Sequence, residues 1–206
     1  MEVLIPIVFP DYRVTVEVKK EEVDVLPWVT FDNFSFKYKD KISNLGHAGI
    51  LFINGRSGVT KYYEYGRYDP QKKGIVLKAK NLPDAKVIDG ELDTKSIKEA
   101  LSFISRVSGQ SGRISGVYIE VEDEYGKALE YVEARRSKNT LKNRKEYDLL
   151  RNSCIHFVKE TVEVTDAISP WMVGPRPNSY IGEFRDDYPD LDFYNGKLII
   201  EGVGEY

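Results

Sequence analysis

Arg151-Asn152-Ser153-Cys154-Ile155-His156-Phe157-Val158 sets the only cysteine of the chain directly after a polar pair that can cap a helix and at the head of an amphipathic run. Counting from Cys154, the apolar groups of Phe157, Val158, Thr161 (by its methyl) and Val162 fall at +3, +4, +7 and +8, the spacing of one helical face. The thiol therefore heads the buried stripe of a helix at its first turn. That turn offers unpaired N–H groups and the positive end of the helix dipole, and both favour thiolate over thiol. A lone cysteine is more often a buried structural residue than a nucleophile, so the thiol needs a partner before it means anything chemically.

The chain has two histidines, His47 and His156. His156 follows Cys154 by two residues, about 200° around a helix, and its ring points away from the thiol. His47 remains. It lies in Leu45-Gly46-His47-Ala48-Gly49-Ile50-Leu51-Phe52-Ile53-Asn54-Gly55, an apolar run closed by Asn-Gly that reads as a strand entering a turn. The small neighbours Gly46, Ala48 and Gly49 leave room for a helix terminus to approach the strand. Cys154 and His47 thus form the minimal pair for thiol catalysis.

The histidine-first, cysteine-last order, with His47-Ala48-Gly49-Ile50 on a strand and Asn152-Ser153-Cys154-Ile155-His156-Phe157-Val158 opening a helix, resembles the circularly permuted papain-like hydrolases. These are the NlpC-type peptidases and their lecithin:retinol acyltransferase-like relatives. In the acyltransferase-like branch the nucleophile motif reads Asn-Cys-Glu-His-Phe-Val; Cys154, His156, Phe157 and Val158 match it in place. Ser153 stands where an Asn would precede the cysteine, and Ile155 replaces the Glu. The segments Leu45 to Pro70, Tyr147-Asp148-Leu149-Leu150 and Pro175 to Ile181 resemble a bacterial subgroup of secreted antibacterial effectors. The resemblance implies a permuted papain-like α+β fold and a cysteine hydrolase that passes through a thioester. It also implies delivery of the type VI secretion kind, with a secretion-system carrier and an immunity protein as partners.

In the resembling families a third group orients the histidine from the strand that follows it, and here that strand offers Tyr62, Tyr63, Glu64 and Tyr65. Glu64 is selected because a carboxylate both accepts the imidazole N–H and stabilises the imidazolium. Register opposes the choice: if Ile53 pairs with Val59, His47 falls opposite Tyr65 and Glu64 faces the other side unless a bulge shifts it. A solvated strand carboxylate is the competing reading. The oxyanion hole would use the Cys154 backbone N–H, with a second donor that the sequence does not name.

Composition is that of an ordinary globular domain spanning residues 1–206, with 41% hydrophobic and 31% charged residues. A formal charge of −3 and a pI near 5.6 give no electrostatic case for nucleic acid or an anionic membrane. One cysteine excludes an internal disulfide, and no spacing of Cys or His reads as a metal site or calls for a cofactor. The opening Met1-Glu2-Val3-Leu4-Ile5-Pro6-Ile7-Val8-Phe9-Pro10 is apolar but short, acidic at its start and broken by prolines, so it reads as neither signal peptide nor membrane span. A protein made in the cytoplasm this way needs a specialised route to act outside.

Along the chain, Leu4 to Phe9, Tyr12 to Val18, the His47 run, Val59 to Tyr65 and Gly74 to Ala79 read as strands, with Trp28 to Tyr38 an aromatic stretch. Thr94 caps a helix through Ile97, Ala100, Leu101, Ile104 and Val107 that stops at Gly109. Ile114 to Val121 reads as one strand and Glu122 to Arg136 as an amphipathic helix. A basic loop from Arg135 to Lys145 leads to the Cys154 helix, a Pro-rich segment follows Trp171, and Lys197 to Val203 is a last strand. Without a βαβ cadence, these elements predict helices packed on an antiparallel sheet.

Three functions follow as expectations. Resemblance to NlpC-type enzymes implies cleavage of an amide in the peptides of bacterial peptidoglycan. Resemblance to the acyltransferase branch implies a lipid ester; but that branch commonly carries an apolar anchoring tail, whereas Glu201-Gly202-Val203-Gly204-Glu205-Tyr206 is short and acidic. The third is a binding module without turnover, using the tyrosines between Tyr62 and Tyr68 as a platform.

Overall fold

Glu2–Phe9 forms β1, and its period-two alternation divides the protein into two cores. Val3, Ile5, Ile7 and Phe9 enter one, Leu4 and Val8 the other. The computed structural model describes residues 1–16, 40–42, 46–69, 71, 73–121, 123–172, 174–201 and 204–205. The further strands are β2 (Val14–Val16), β3 (Asp40–Ile42), β4 (His47–Asn54), β5 (Thr60–Gly66), β6 (Ile75–Lys78), β7 (Val87–Ile88), β8 (Glu91–Leu92), β9 (Ile114–Val117), β10 (Ile119–Glu120), β11 (Asp190–Tyr194), β12 (Lys197–Ile200) and β13 (Gly204–Glu205). The helices are α1 (Thr94–Ser108), α2 (Tyr125–Ser137), α3 (Cys154–Glu163) and α4 (Pro177–Glu183). Among the described residues the main sheet runs β13-β12-β11-β9-β1-β4-β5-β6, with β10 also on β1, and its ladders are antiparallel.

Helix α1 covers one face of this sheet through Ile97, Leu101 and Ile104. Helices α2, α3 and α4 cover the other, with Val132, Phe157, Val158, Tyr180 and Ile181 against Leu4, Ile50, Phe52 and Tyr63. The expected packing of helices on an antiparallel sheet is therefore present, on both faces.

Several boundaries differ from the sequence reading. The predicted strand Ile114 to Val121 is broken between β9 and β10, because it lies beside Pro6 of β1. Pro6 has no N–H to give a ladder, and the β9 and β10 pairings with β1 stop at Ile7 and Leu4, on either side of Ile5 and Pro6. Gly116 is required there, since a Cβ would lie 2.6 Å from the Pro6 carbonyl oxygen. Helix α1 is capped by Asp93, whose carboxylate accepts from the Ser96 N–H, one residue earlier than Thr94. Helix α2 starts at Tyr125 rather than Glu122. Within the Pro-rich segment, α4 begins with Pro177 in its first turn, where the missing N–H costs nothing, and β11 follows from Asp190. Of the strand expected over Tyr12 to Val18, Val14–Val16 form β2 and the two residues before them are not in a strand; its end and the Trp28 to Tyr38 stretch lie outside the described residues.

The β4–β5 hairpin carries the most consequential difference. Asn54 Oδ1 accepts from the Arg56 and Ser57 N–H groups, and the loop closes on Asn54 and Val59 through an N–H···O bond of 3.1 Å. Ile53 therefore pairs with Thr60, not with Val59. This one-residue change sends every β5 side chain to the opposite face from the one the sequence reading assigned.

Candidate active site

The N-terminus of α3 is built before the helix starts. Asp148 Oδ1 accepts from the Leu150 and Arg151 N–H groups and forms a tight turn that Asn152 closes by exchanging backbone hydrogen bonds with Asp148. The Asn152 side-chain amide donates to the Tyr65 hydroxyl (2.8 Å) and the Glu146 carbonyl (2.6 Å), and its oxygen accepts from Arg135. Ser153 is the N-cap residue. His156 Nδ1 accepts the Ser153 N–H (3.3 Å) and contacts its hydroxyl (2.8 Å), so His156 takes the place of the Glu or Gln of a capping box. Its ring serves the cap, not the thiol, as the helical geometry requires.

That role has a pH consequence. Burial holds the His156 pKa below its ordinary value, and the nitrogen that closes the cap must be unprotonated. With the folded-state pKa below the unfolded one, the stabilisation is complete above about pH 6.5 and is lost as pH falls through the folded value. Thermal unfolding from pH 7 to pH 5 is expected to show a loss of stability that His156→Gln, with a non-titrating acceptor, reduces. Parallel curves for the two proteins would refute the assignment.

His47 opens β4, opposite Phe9 of β1, and its ring lies 6.0 Å from that of Phe9 and 5.1 Å from that of Tyr12. The β4–β5 ladder ends at Gly49 and Glu64. The register thus puts Glu64 on the His47 face, contrary to the arrangement expected from an Ile53–Val59 pair. Glu64 Oε2 lies 3.1 Å from His47 Nε2 and accepts from the Tyr62 hydroxyl at 3.2 Å. The Tyr68 hydroxyl lies 3.0 Å from His47 Nε2 and donates to Glu64 Oε1 at 3.0 Å. His47 and Glu64 are 6% and 7% exposed, so Glu64 is not a solvated surface carboxylate.

Of the small residues around His47, the two glycines serve other purposes than admitting the α3 terminus. Gly49 makes way for the Tyr62 hydroxyl, which a Cβ would approach to 2.2 Å. Gly46, at φ +71°, lies against Asn178 of α4, where a Cβ would meet the side-chain oxygen at 2.6 Å. Ala48 is the residue that meets Cys154: past the end of the β5 ladder, its N–H is hydrogen-bonded to the sulfur.

Cys154 is 4% exposed and hydrogen-bonded to His47. With Nε2 taken by Glu64 and Tyr68, Nδ1 is the ring nitrogen left to face the thiol. Burial disfavours the imidazolium, but the Cys154 and Glu64 hydrogen bonds and charges outweigh it and raise the His47 pKa to about 10. Burial likewise disfavours the thiolate, yet His47, the Tyr147 hydroxyl and the Ala48 N–H pull the Cys154 pKa below its ordinary value. Glu64 is lowered too, the His47, Ser108 and Tyr68 hydrogen bonds overcoming burial. These directions all favour a thiolate–imidazolium pair backed by a carboxylate.

Tyr147 completes the surroundings of the sulfur, and the sequence reading did not single it out. Its hydroxyl accepts from the Cys154 backbone N–H at 3.4 Å and is hydrogen-bonded to the thiol, while its ring packs 5.7 Å from that of Tyr65. Burial and the adjacent thiolate push its pKa far up, so it stays a neutral donor. Arg144, three residues earlier, forms an ion pair with Asp69, the residue after Tyr68, and so links the loop leading to Cys154 with the loop behind His47. Among the described residues no group of His, Cys, Asp and Glu is arranged to hold a metal ion, and no helix is long and apolar enough to cross a membrane.

The sequence profile of the TseH-like type VI secretion system effectors matches residues 4–169, and the chain belongs to that family. The crystal structure of one such effector, TseH, is 30% identical to it, superposes with a TM-score of 0.77 and is matched over 97% of each chain. No curated protein matches the sequence. The fold of an antiparallel sheet with helices packed on it is accordingly similar to that of a solved type VI secretion effector.

Proposed function

We propose that the protein is a cysteine hydrolase of the permuted papain-like, NlpC-type class that cleaves amide bonds in the peptides of bacterial peptidoglycan, as an antibacterial effector. The observation that carries this reading is the Cys154–His47–Glu64 chain of hydrogen bonds, with the sulfur at a helix N-terminus and the imidazole tied on its far side to a buried carboxylate. Membership of the effector family supports the antibacterial setting.

The chemistry follows from the resting ion pair. The Cys154 thiolate attacks the amide carbonyl carbon, and the carbonyl π electrons move to oxygen to give a tetrahedral oxyanion. The Cys154 N–H, which donates to the Tyr147 hydroxyl in the resting site, and that hydroxyl would both turn to this oxygen, which would make Tyr147 the second donor that sequence reasoning lacked. His47 Nδ1–H gives its proton to the leaving nitrogen as the C–N bond breaks, leaving a thioester and a free amine. Neutral His47 then takes a proton from water, the hydroxide adds to the thioester, and collapse releases the acid and returns thiolate and imidazolium. Glu64 accepts from Nε2–H throughout and favours the charged ring. An immunity protein in the producing cell and a secretion carrier belong to the same proposal.

Two arms of one experiment test it. Purified peptidoglycan digested with the protein should release fragments whose masses correspond to hydrolysis of a peptide amide. Expression fused to a periplasmic export signal should lyse a Gram-negative host, the cytoplasmic form should be tolerated, and Cys154→Ala should be harmless in both compartments. Equal toxicity from the cytoplasm, with intact peptidoglycan, would overturn the proposal and turn attention to a lipid ester or an intracellular amide.

A further inference from the structure

Glu64 alone does not account for how the imidazole is held. Tyr68 lies two residues beyond β5, is 42% exposed, and nevertheless folds its ring back over Gly66, where a Cβ would approach that ring to 2.5 Å. The fold-back brings its hydroxyl within 3.0 Å of both His47 Nε2 and Glu64 Oε1, with the rings of His47 and Tyr68 at 87° to each other. Asp69, the next residue, is fastened by Arg144 and by the Lys73 N–H, so the loop presenting Tyr68 is tied down on its far side.

We propose that Tyr68 is a positioning residue, whose hydroxyl closes a ring of three hydrogen bonds with His47 and Glu64 and so fixes both the plane and the tautomer of the imidazole. The proposal rests on the cysteine-hydrolase reading. Donor and acceptor counting permits one arrangement with Glu64 ionised: Nε2–H is shared between Glu64 Oε2 and the Tyr68 oxygen, and the Tyr68 O–H goes to Glu64 Oε1. A ring protonated only at Nδ1 would set a bare Nε2 against the carboxylate, an acceptor against an acceptor. The three-sided arrangement therefore keeps a proton on Nε2 and leaves Nδ1 to exchange its proton with sulfur and substrate. Rotation of the ring about its Cβ–Cγ bond would break the contact with Tyr68 as well as that with Glu64.

Cys154 is the chain's only cysteine, so alkylation by iodoacetamide reads the ionisation of this one thiol. In the wild type the alkylation rate should rise at a pH below that of an ordinary thiol. Tyr68→Phe keeps the ring over Gly66 and removes one oxygen. It should move that rise to higher pH by about half a unit or more and lower kcat on peptidoglycan roughly 5- to 20-fold with KM unchanged. Wild-type kcat and an unshifted rise would overturn the proposal, and so would a lowered kcat with an unshifted rise, which marks a structural tyrosine. If the wild-type thiol itself titrates like a free cysteine, the cysteine-hydrolase reading fails, and the role of Tyr68 with it.

Discussion

Cys154→Ala is expected to lower amide hydrolysis by roughly 10⁴- to 10⁶-fold, the loss typical of removing a covalent nucleophile. The chain has no second thiol to take its place. Stability should change by no more than about 1–2 kcal/mol, because a small side chain is lost at a helix end whose cap, between Ser153 and His156, is untouched. The variant also tests the ion pair directly. Of the interactions that raise the His47 pKa, the hydrogen bond to Cys154 is the largest, and burial acts against them. An NMR titration of the ring should therefore show His47 titrating well below pH 10 in the alanine protein. Retained hydrolysis, or a histidine pKa indifferent to the thiol, would refute the pair.

Glu64→Gln should preserve the fold and reduce kcat by about 10²- to 10⁴-fold, in line with neutralising the acidic member of a hydrolase triad. The substituted amide can still accept from Nε2–H through its oxygen, but it brings no charge to stabilise the imidazolium. Its nitrogen must also meet Tyr62 or Tyr68, both of which donate to the carboxylate. The His47 pKa should fall and the onset of Cys154 alkylation should move to higher pH. A near-silent substitution would transfer the orienting role to Tyr68 and reduce Glu64 to a buried carboxylate satisfied by tyrosines.

Cys154 and His47 were legible in the sequence because each obeys a local rule. The apolar spacing after Cys154 defines a helix head, and helical geometry alone sends His156 to the cap. Glu64 was legible as a residue type and not as a position, since its face depends on whether the hairpin closes on Ile53 or Asn54, and that is decided by two hydrogen bonds to the Asn54 side chain. Tyr147 and Tyr68 stood in quoted segments but not as site residues, for a different reason. Each depends on backbone geometry that its residue type does not announce: the Asp148–Asn152 turn that follows Tyr147, and the missing Cβ of Gly66 beneath the Tyr68 ring. The break between β9 and β10 likewise has its cause in Pro6, more than a hundred residues away in the chain. Short α4 escaped because proline at its start reads as a breaker, although a helix's first turn tolerates it.

A thiol whose pKa is lowered is also the more open to attack by peroxides, and here it stands without a second cysteine anywhere in the chain. A sulfenic acid formed on Cys154 could not be trapped as an internal disulfide, and the following oxidation steps are irreversible. The sulfur is 4% exposed, so its enclosure limits contact with oxidants in bulk water. Outside a reducing cytoplasm, the working lifetime of the protein is then set by the redox fate of a single atom.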